Sequence, residues 1–299
     1  METISLKTRD IKNLDIYNPG NEVFNTESKL FVLEPKTWSK EGTLFKYLFI
    51  RRQSSLANKL FTVTMLNDNK KHFDDKTFII PNKLVSVDNE ISGFTIPFLS
   101  NNTNLGVLLN DLAVDDKTKI KYLKELGSIL KRTEELNKEG FDFAFNDLHE
   151  NNFIINHDDN DRLCAVDLDS SYMKTNYPQA SHYLFNNMYI NKISEKYPVN
   201  KFGINIPDLN SDLFCYNMII LNTIAHGKVS KLNINDYYMY INYLSDLGFG
   251  DNLLASFRAV YSSGNNINPV NYLDEINREK LGAANLNVFR YKVKTKQLF

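Results

Sequence analysis

Several things are scarce in this sequence. Two cysteines, Cys164 and Cys215, serve 299 residues, and both lie in apolar stretches. That excludes a disulfide framework and fits buried thiols in a reducing cytoplasm. Surplus charge is missing as well: 35 Lys and Arg against 36 Asp and Glu leave a formal net charge of −1. No global field then draws in nucleic acid or an anionic membrane, so binding must come from a local site. No apolar run reaches the ~18 residues of a membrane span, and the opening M-E-T-I-S-L-K-T-R-D holds no apolar core of signal-peptide length. The expectation is a soluble chain with no nucleic-acid and no membrane partner. Fixed-period repeats and linkers rich in Pro, Gly or Ser are also absent, so any two lobes must be closely joined.

The chain is too long for one minimal core, and two lobes or one large domain is the expectation. Its first hundred residues read mostly as strands: Lys29 to Leu33, Thr43 to Ile50, Phe78 to Val87 and Ile91 to Leu99 are rich in β-branched and aromatic residues and separated by Pro, Gly, Asn and Asp. One helix interrupts them, Ser55 to Leu66, with Leu56, Leu60 and Val63 at roughly helical spacing. Asp115 to Asn137 is a long amphipathic helix, with Ile120, Leu123, Leu126, Leu130 and Leu136 on one face and Gly140 as a stop signal. Two short strands, Asn152 to Asn156 and Leu163 to Val166, read as a hairpin around H-D-D-N-D. After a long polar connection, Ser211 to His226 is apolar nearly all round, which marks a helix buried inside a lobe. The order is α+β: a mostly-β part over residues 1–99 and a mainly helical part over residues 100–299.

The chemistry gathers around F-N-D-L-H-E-N-N-F-I-I-N, Phe145 to Asn156. Asp147 sits in a loop, Asn152 opens the hairpin's first strand and Asp167 follows its second. A hairpin brings its outer ends together, so two carboxylates and an amide oxygen are expected to share one spot. Such hard oxygen ligands suit Mg²⁺, with Asp147 left to orient or deprotonate an attacking hydroxyl. In T-L-F-K-Y-L-F-I, a two-residue period places Lys46 with Leu44, Leu48 and Ile50 on one face and Phe45, Tyr47 and Phe49 on the other. A lysine on an apolar strand needs an anion.

D-L-H-E-N-N followed by V-D-L-D resembles the catalytic and metal-binding loops of the protein-kinase-like superfamily, in which a catalytic Asp stands five residues before a metal-binding Asn, as Asp147 does before Asn152. The resemblance implies a bilobal fold, with a small antiparallel β-sheet N-lobe carrying one helix and a larger helical C-lobe, and ATP and Mg²⁺ as cofactors. It makes Asp147 the catalytic base and Asn152 and Asp167 the metal ligands. Lys46 would pair with the α- and β-phosphates. The run G-F-T-I-P-F-L resembles the strand leading to the hinge, so that with Ile96 as gatekeeper the carbonyl of Pro97 and the amide of Leu99 would read adenine, above Ile154 as floor. Asp212 resembles the acid that braces the catalytic loop. The activity implied is transfer of the γ-phosphoryl group to a hydroxyl, of a protein Ser or Thr in preference to a small molecule. His149 occupies a position that in aminoglycoside and choline phosphotransferases is also histidine, which keeps a small-molecule acceptor open.

The chain departs from the pattern in places. There is no G-x-G-x-x-G, only Gly20 in N-P-G-N-E-V-F. The helix after Lys46 contains no Glu; Gln53 or Asn58 would stand in, or the lysine's helix partner is missing, which suits a catalytically silent nucleotide-binding or scaffold module. Phe145-Asn146 replaces His-Arg and Leu168-Asp169 replaces Phe-Gly, so control through a phosphorylated activation segment is not expected. His149 reads first as a hydrogen-bonding partner of the loop backbone. H-D-D-N-D-R lacks the glycine and closing Glu of a calcium loop and reads as a solvated hairpin tip. The tail N-V-F-R-Y-K-V-K-T-K-Q-L-F reads as a final strand or a disordered end, and Tyr177, Tyr183 and Tyr189 as core or as an acceptor groove.

Overall fold

A computed structural model describes residues 1–17, 28–35, 42–49, 53–173, 209–261, 266–295 and 297. Gly20, Tyr177, Tyr183, Tyr189 and the side chain of Gln53 lie outside the described residues. In chain order the elements are β1 (Thr3–Leu6), α1 (Thr8–Ile11), β2 (Ser28–Glu34), β3 (Gly42–Leu48), α2 (Gln53–Asp68), β4 (Leu84–Val87), β5 (Glu90–Phe98), β6 (Asn102–Asn104), α3 (Leu105–Asn110) and α4 (Asp116–Lys138). There follow β7 (Phe143–Ala144), β8 (Phe153–Asn156), β9 (Arg162–Ala165), β10 (Tyr172–Met173), α5 (Leu209–Ala225), α6 (Ile234–Asp246), α7 (Asp251–Ala259), α8 (Leu281–Ala284) and α9 (Leu286–Lys294). The chain is α+β and divides into two compact units, Met1–Thr103 with Ile154–Ala180, and Asn104–Phe153 with Ser181–Phe299.

The first unit is built on a five-stranded sheet in the order β1-β4-β5-β3-β2. The sheet is mixed and not antiparallel as expected, because β1 lies parallel to β4, with Thr3 beside Leu84 and Leu6 beside Val87. The pairs β2–β3, β3–β5 and β4–β5 are antiparallel. Only Leu84 to Val87 of the expected strand Phe78 to Val87 joins this sheet; Pro81 has no N–H to donate, and Phe78 instead bridges to Ala165. Asp88 and Asn89 link β4 to β5 with φ of 50° and 73°, the double positive φ that a tight hairpin turn matching strand twist requires. On the outer side of β2, Ile16 bridges to Phe31, the Tyr17 N–H donates to the Leu30 carbonyl at 2.9 Å and the Val32 N–H to the Asp15 carbonyl at 2.8 Å.

The alternation read in β3 sorts its side chains to two cores. Phe45 packs with Phe31, Val85 and Val87, joined by Ile4, Leu6 and Tyr47. Leu48 packs on the other face with Phe94 and with Val63, Leu56 and Leu60 of α2. Gly93 lets β5 lie close to β3, since a Cβ there would fall 2.0 Å from the Lys46 carbonyl oxygen. A smaller sheet, in the order β6-β8-β9, carries the hairpin.

In the second unit α4 starts where Asp115 accepts the Thr118 N–H at 2.9 Å and stops at Gly140, whose φ of 94° no β-carbon-bearing residue adopts readily. Its face of Leu123, Leu126, Leu130 and Leu136 is buried and meets α5, where the Tyr216 hydroxyl donates to the Leu123 carbonyl at 2.6 Å. α5 is buried nearly all round, as its composition implies. The tail expectation is corrected as far as Lys294: Asn287 to Lys294 belong to the helix α9, capped by the Asn285 side chain, which accepts the Asn287 N–H at 2.8 Å. The alternation of basic and apolar residues misleads because Leu286 and Phe289, three apart, are the buried pair.

Candidate functional site

In the first unit Lys46, on the central part of β3, is 6 % exposed. Its ammonium lies 5.7 Å from the centroid of the Phe94 ring and donates to two carboxylates that bracket one short turn after β9: Asp167 through Oδ1, and Asp169 through Oδ1 at 2.8 Å. Asp169 is fully buried, and its Oδ2 accepts from the Lys59 ammonium of α2 at 3.0 Å. Lys59 also donates to the Ser170 hydroxyl at 3.2 Å. Two cations and two anions thus balance in an apolar setting, the condition under which buried charge is tolerated.

Burial works against the charge on Lys46, but Asp167 and Asp169 outweigh it and hold the ammonium above the usual lysine range. Lys59 is raised in the same way, chiefly by Asp169 against its own burial. Burial also pushes Asp169 up, yet Lys46 and Lys59 together hold it well below the usual carboxylate range. Asp167 goes the other way: burial raises it, Lys46 opposes and the charge of Asp169 adds to the rise. Asp167 also takes a left-handed conformation, φ 61° and ψ 39°, which costs an aspartate some backbone energy and turns its side chain out of the strand's alternation.

The remaining residues expected in this unit are placed as follows. Pro97 pairs with Thr43 near the end of β5. Leu99 lies just past that strand, and its carbonyl accepts from the Asn102 side chain. Ile154 is half-buried in β8, on the face opposite the buried Phe153 and Ile155.

Asp147 and Asn152 belong to the second unit. The Asp147 N–H donates to the Phe145 carbonyl at 2.6 Å across a three-residue turn centred on Asn146, whose φ is 59°. The Phe145 N–H donates to the Asp212 carboxylate at 2.8 Å. Asn152 donates its side-chain N–H to the Asp147 carbonyl at 2.9 Å, which commits Nδ2 to the loop and leaves Oδ1 for other partners. His149 Nδ1 accepts the Asn151 N–H at 3.2 Å, as expected of a loop-bonding histidine, so a neutral ring carries its proton on Nε2, 3.7 Å from Asp147 Oδ2.

Each unit by itself carries oxygen donors of the kind a hard cation takes, Asp167 in the first and Asn152 in the second. The Asp167 side chain, bonded to Lys46 through Oδ1, is 32 % exposed, whereas Asp169 is fully buried with both oxygens engaged by lysines. Asn152 keeps the oxygen, not the nitrogen, for a ligand. Among the described residues no group of three or more His, Cys, Asp or Glu side chains could hold a metal ion, and no helix is long and apolar enough to cross a membrane.

Asp169 and Lys59 escaped the reading of the sequence. The signal for Lys59 was present, a lysine on the same helical stripe as Leu56, Leu60 and Val63. Its significance depended on where the turn after β9 would place Asp169. No protein-family model matches the chain, and no curated protein matches it.

Proposed function

We propose that the chain is an ATP-dependent phosphotransferase, a kinase-like enzyme of two lobes divided near residue 99, that transfers the γ-phosphoryl group to a hydroxyl, a protein Ser or Thr being the favoured acceptor. The observation that carries the reading is Lys46, a buried ammonium on an apolar strand, held by the two acids of V-D-L-D. Burying such a group is costly unless its charge is used, and the protein-kinase-like resemblance gives a strand lysine the phosphates to offset and the acid after the hairpin the metal that bridges them, which supports reading the two as parts of one nucleotide site.

In this reading Lys46 offsets the charge of the phosphate oxygens. Asn152 and Asp167 hold Mg²⁺, which when bound would supply further neutralisation of the same oxygens. Asp147 orients the acceptor hydroxyl and takes its proton as the new oxygen–phosphorus bond forms and the bond to the bridging β–γ oxygen breaks, releasing ADP. Pro97 and Leu99 read adenine through backbone groups, above Ile154. The two buried cysteines suit a reducing cytoplasm.

The test is Mg²⁺-dependent ADP release, with the products of labelled ATP identified. Asp147→Ala and Asp167→Ala should each lower turnover about a hundredfold or more; turnover that persists in either variant rejects the mechanism, and transfer of labelled AMP rejects phosphoryl transfer. A second reading, a nucleotide-binding module without turnover, is favoured by one observation: α2 brings Lys59 and not an acid to the Lys46 cluster. Binding of MgADP with no ADP release toward any acceptor would establish it.

A further inference from the structure

We infer that Asp169 is the residue that positions Lys46, supplying from the turn after β9 the carboxylate that the helix lacks, and that Lys59 braces this anchor from α2. The inference rests on the nucleotide reading above and assigns a role that reading leaves open.

Three observations lead to it. Asp169 has no exposed surface, and each of its oxygens accepts from an ammonium, Oδ1 from Lys46 and Oδ2 from Lys59. Asp167, by contrast, is partly exposed and gives Lys46 a single oxygen. Both lysines stand on apolar faces, where their like charges would repel unless a carboxylate lay between them. Asp169 does so, while Asp167 lies at the partly exposed edge of the cluster.

The arrangement ties the strand lysine and the candidate metal-binding acid to one stretch of backbone, residues 167–169, and frees both from the position of the helix. A shift of α2 would withdraw a cation from Asp169 and leave Lys46 its carboxylates. Lys46 would therefore stay in place where a helix-borne acid would have carried it away.

The experiment uses the full chain. Urea unfolding of Lys46→Met, Asp169→Asn, Asp167→Asn and the two double variants gives the coupling of Lys46 to each acid. The expected coupling to Asp169 is about tenfold or more in the unfolding constant and larger than that to Asp167; equal or weaker coupling to Asp169 overturns the inference. Should Asp169→Asn fail to fold, the same cycle in a Lys59→Met background removes one charge of each sign and decides the question. MgADP affinity by calorimetry is the second readout. Asp169→Asn should raise Kd about tenfold, with Asp169→Glu recovering most of the loss, and an unchanged Kd in Asp169→Asn overturns the inference. If the wild type binds no MgADP, the nucleotide reading fails, and the unfolding cycles still decide whether Asp169 anchors Lys46.

Discussion

The Asp212 carboxylate accepts the Phe145 backbone N–H at 2.8 Å, across 67 residues of sequence. The first turn of a buried helix thereby supports the loop two residues before Asp147. Asp212→Ala leaves a buried donor unpaired and should cost about 1–3 kcal/mol. Asp212→Asn, which retains an acceptor oxygen, should cost less. Urea denaturation of both variants checks the order, and ADP release should fall in the same order.

Asp169→Asn should destabilise by about 3–5 kcal/mol, because it leaves two buried ammonium groups short of a carboxylate. A change below 1 kcal/mol, measured by urea unfolding at neutral pH, would mean that the cluster is solvated.

The two acids of the turn predict opposite pH dependences. Asp169 is held below its ordinary value of 3.8, so its contribution is present above that pH and is lost as the pH falls toward the depressed value. The stability gap between wild type and Asp169→Asn should narrow on acidification below about pH 4. Asp167 is raised to about 6, so the folded state holds its proton longer and wild type loses stability relative to Asp167→Asn as the pH rises from 3.8 through about 6. Melting temperatures of the three proteins between pH 3 and 8 test both slopes at once.

Gly93→Ala should destabilise by about 1–3 kcal/mol, since the added carbon would meet the Lys46 carbonyl and β3 would have to move. Under the proposed function it should also weaken MgATP binding, although residue 93 contributes no side chain; thermal melting and the KM for ATP measure the two effects.

Both thiols should resist reaction with a disulfide reagent until the chain unfolds. Cys164 is buried with Sγ 3.1 Å from the Lys76 carbonyl, and burial, reinforced by Asp212, pushes the Cys215 thiol up. Colorimetric titration should find no fast thiol in the native protein and two in urea.

Much of this was legible in the residues. The period of two in β3 sorted Leu44, Lys46 and Leu48 from Phe45 and Tyr47, and the period of 3.6 with a terminal glycine located α4 to within a residue at each end. Those elements bury one face, and burial of one face writes itself into the order of side chains. That Lys46 needs an anion was legible, but its partners were not. The hairpin argument set Asp167 beside Asn152 as a metal ligand and not beside the lysine, and Asp169 reaches Lys46 through a short turn that begins with a left-handed residue, a conformation that local sequence does not announce. β1 escaped notice because four residues on a sheet margin carry too little pattern, and α9 because alternation and helical spacing coincide over a short tail.

The opening seventeen residues touch both margins of the five-stranded sheet: Thr3–Leu6 lies along β4, and residues 15–17 bond across β2. One short stretch of chain thus screens the rows of N–H and carbonyl groups through which sheets recruit one another. Its removal would expose two recruiting borders at once, and the expected damage is oligomers joined strand to strand, ahead of any failure of the interior.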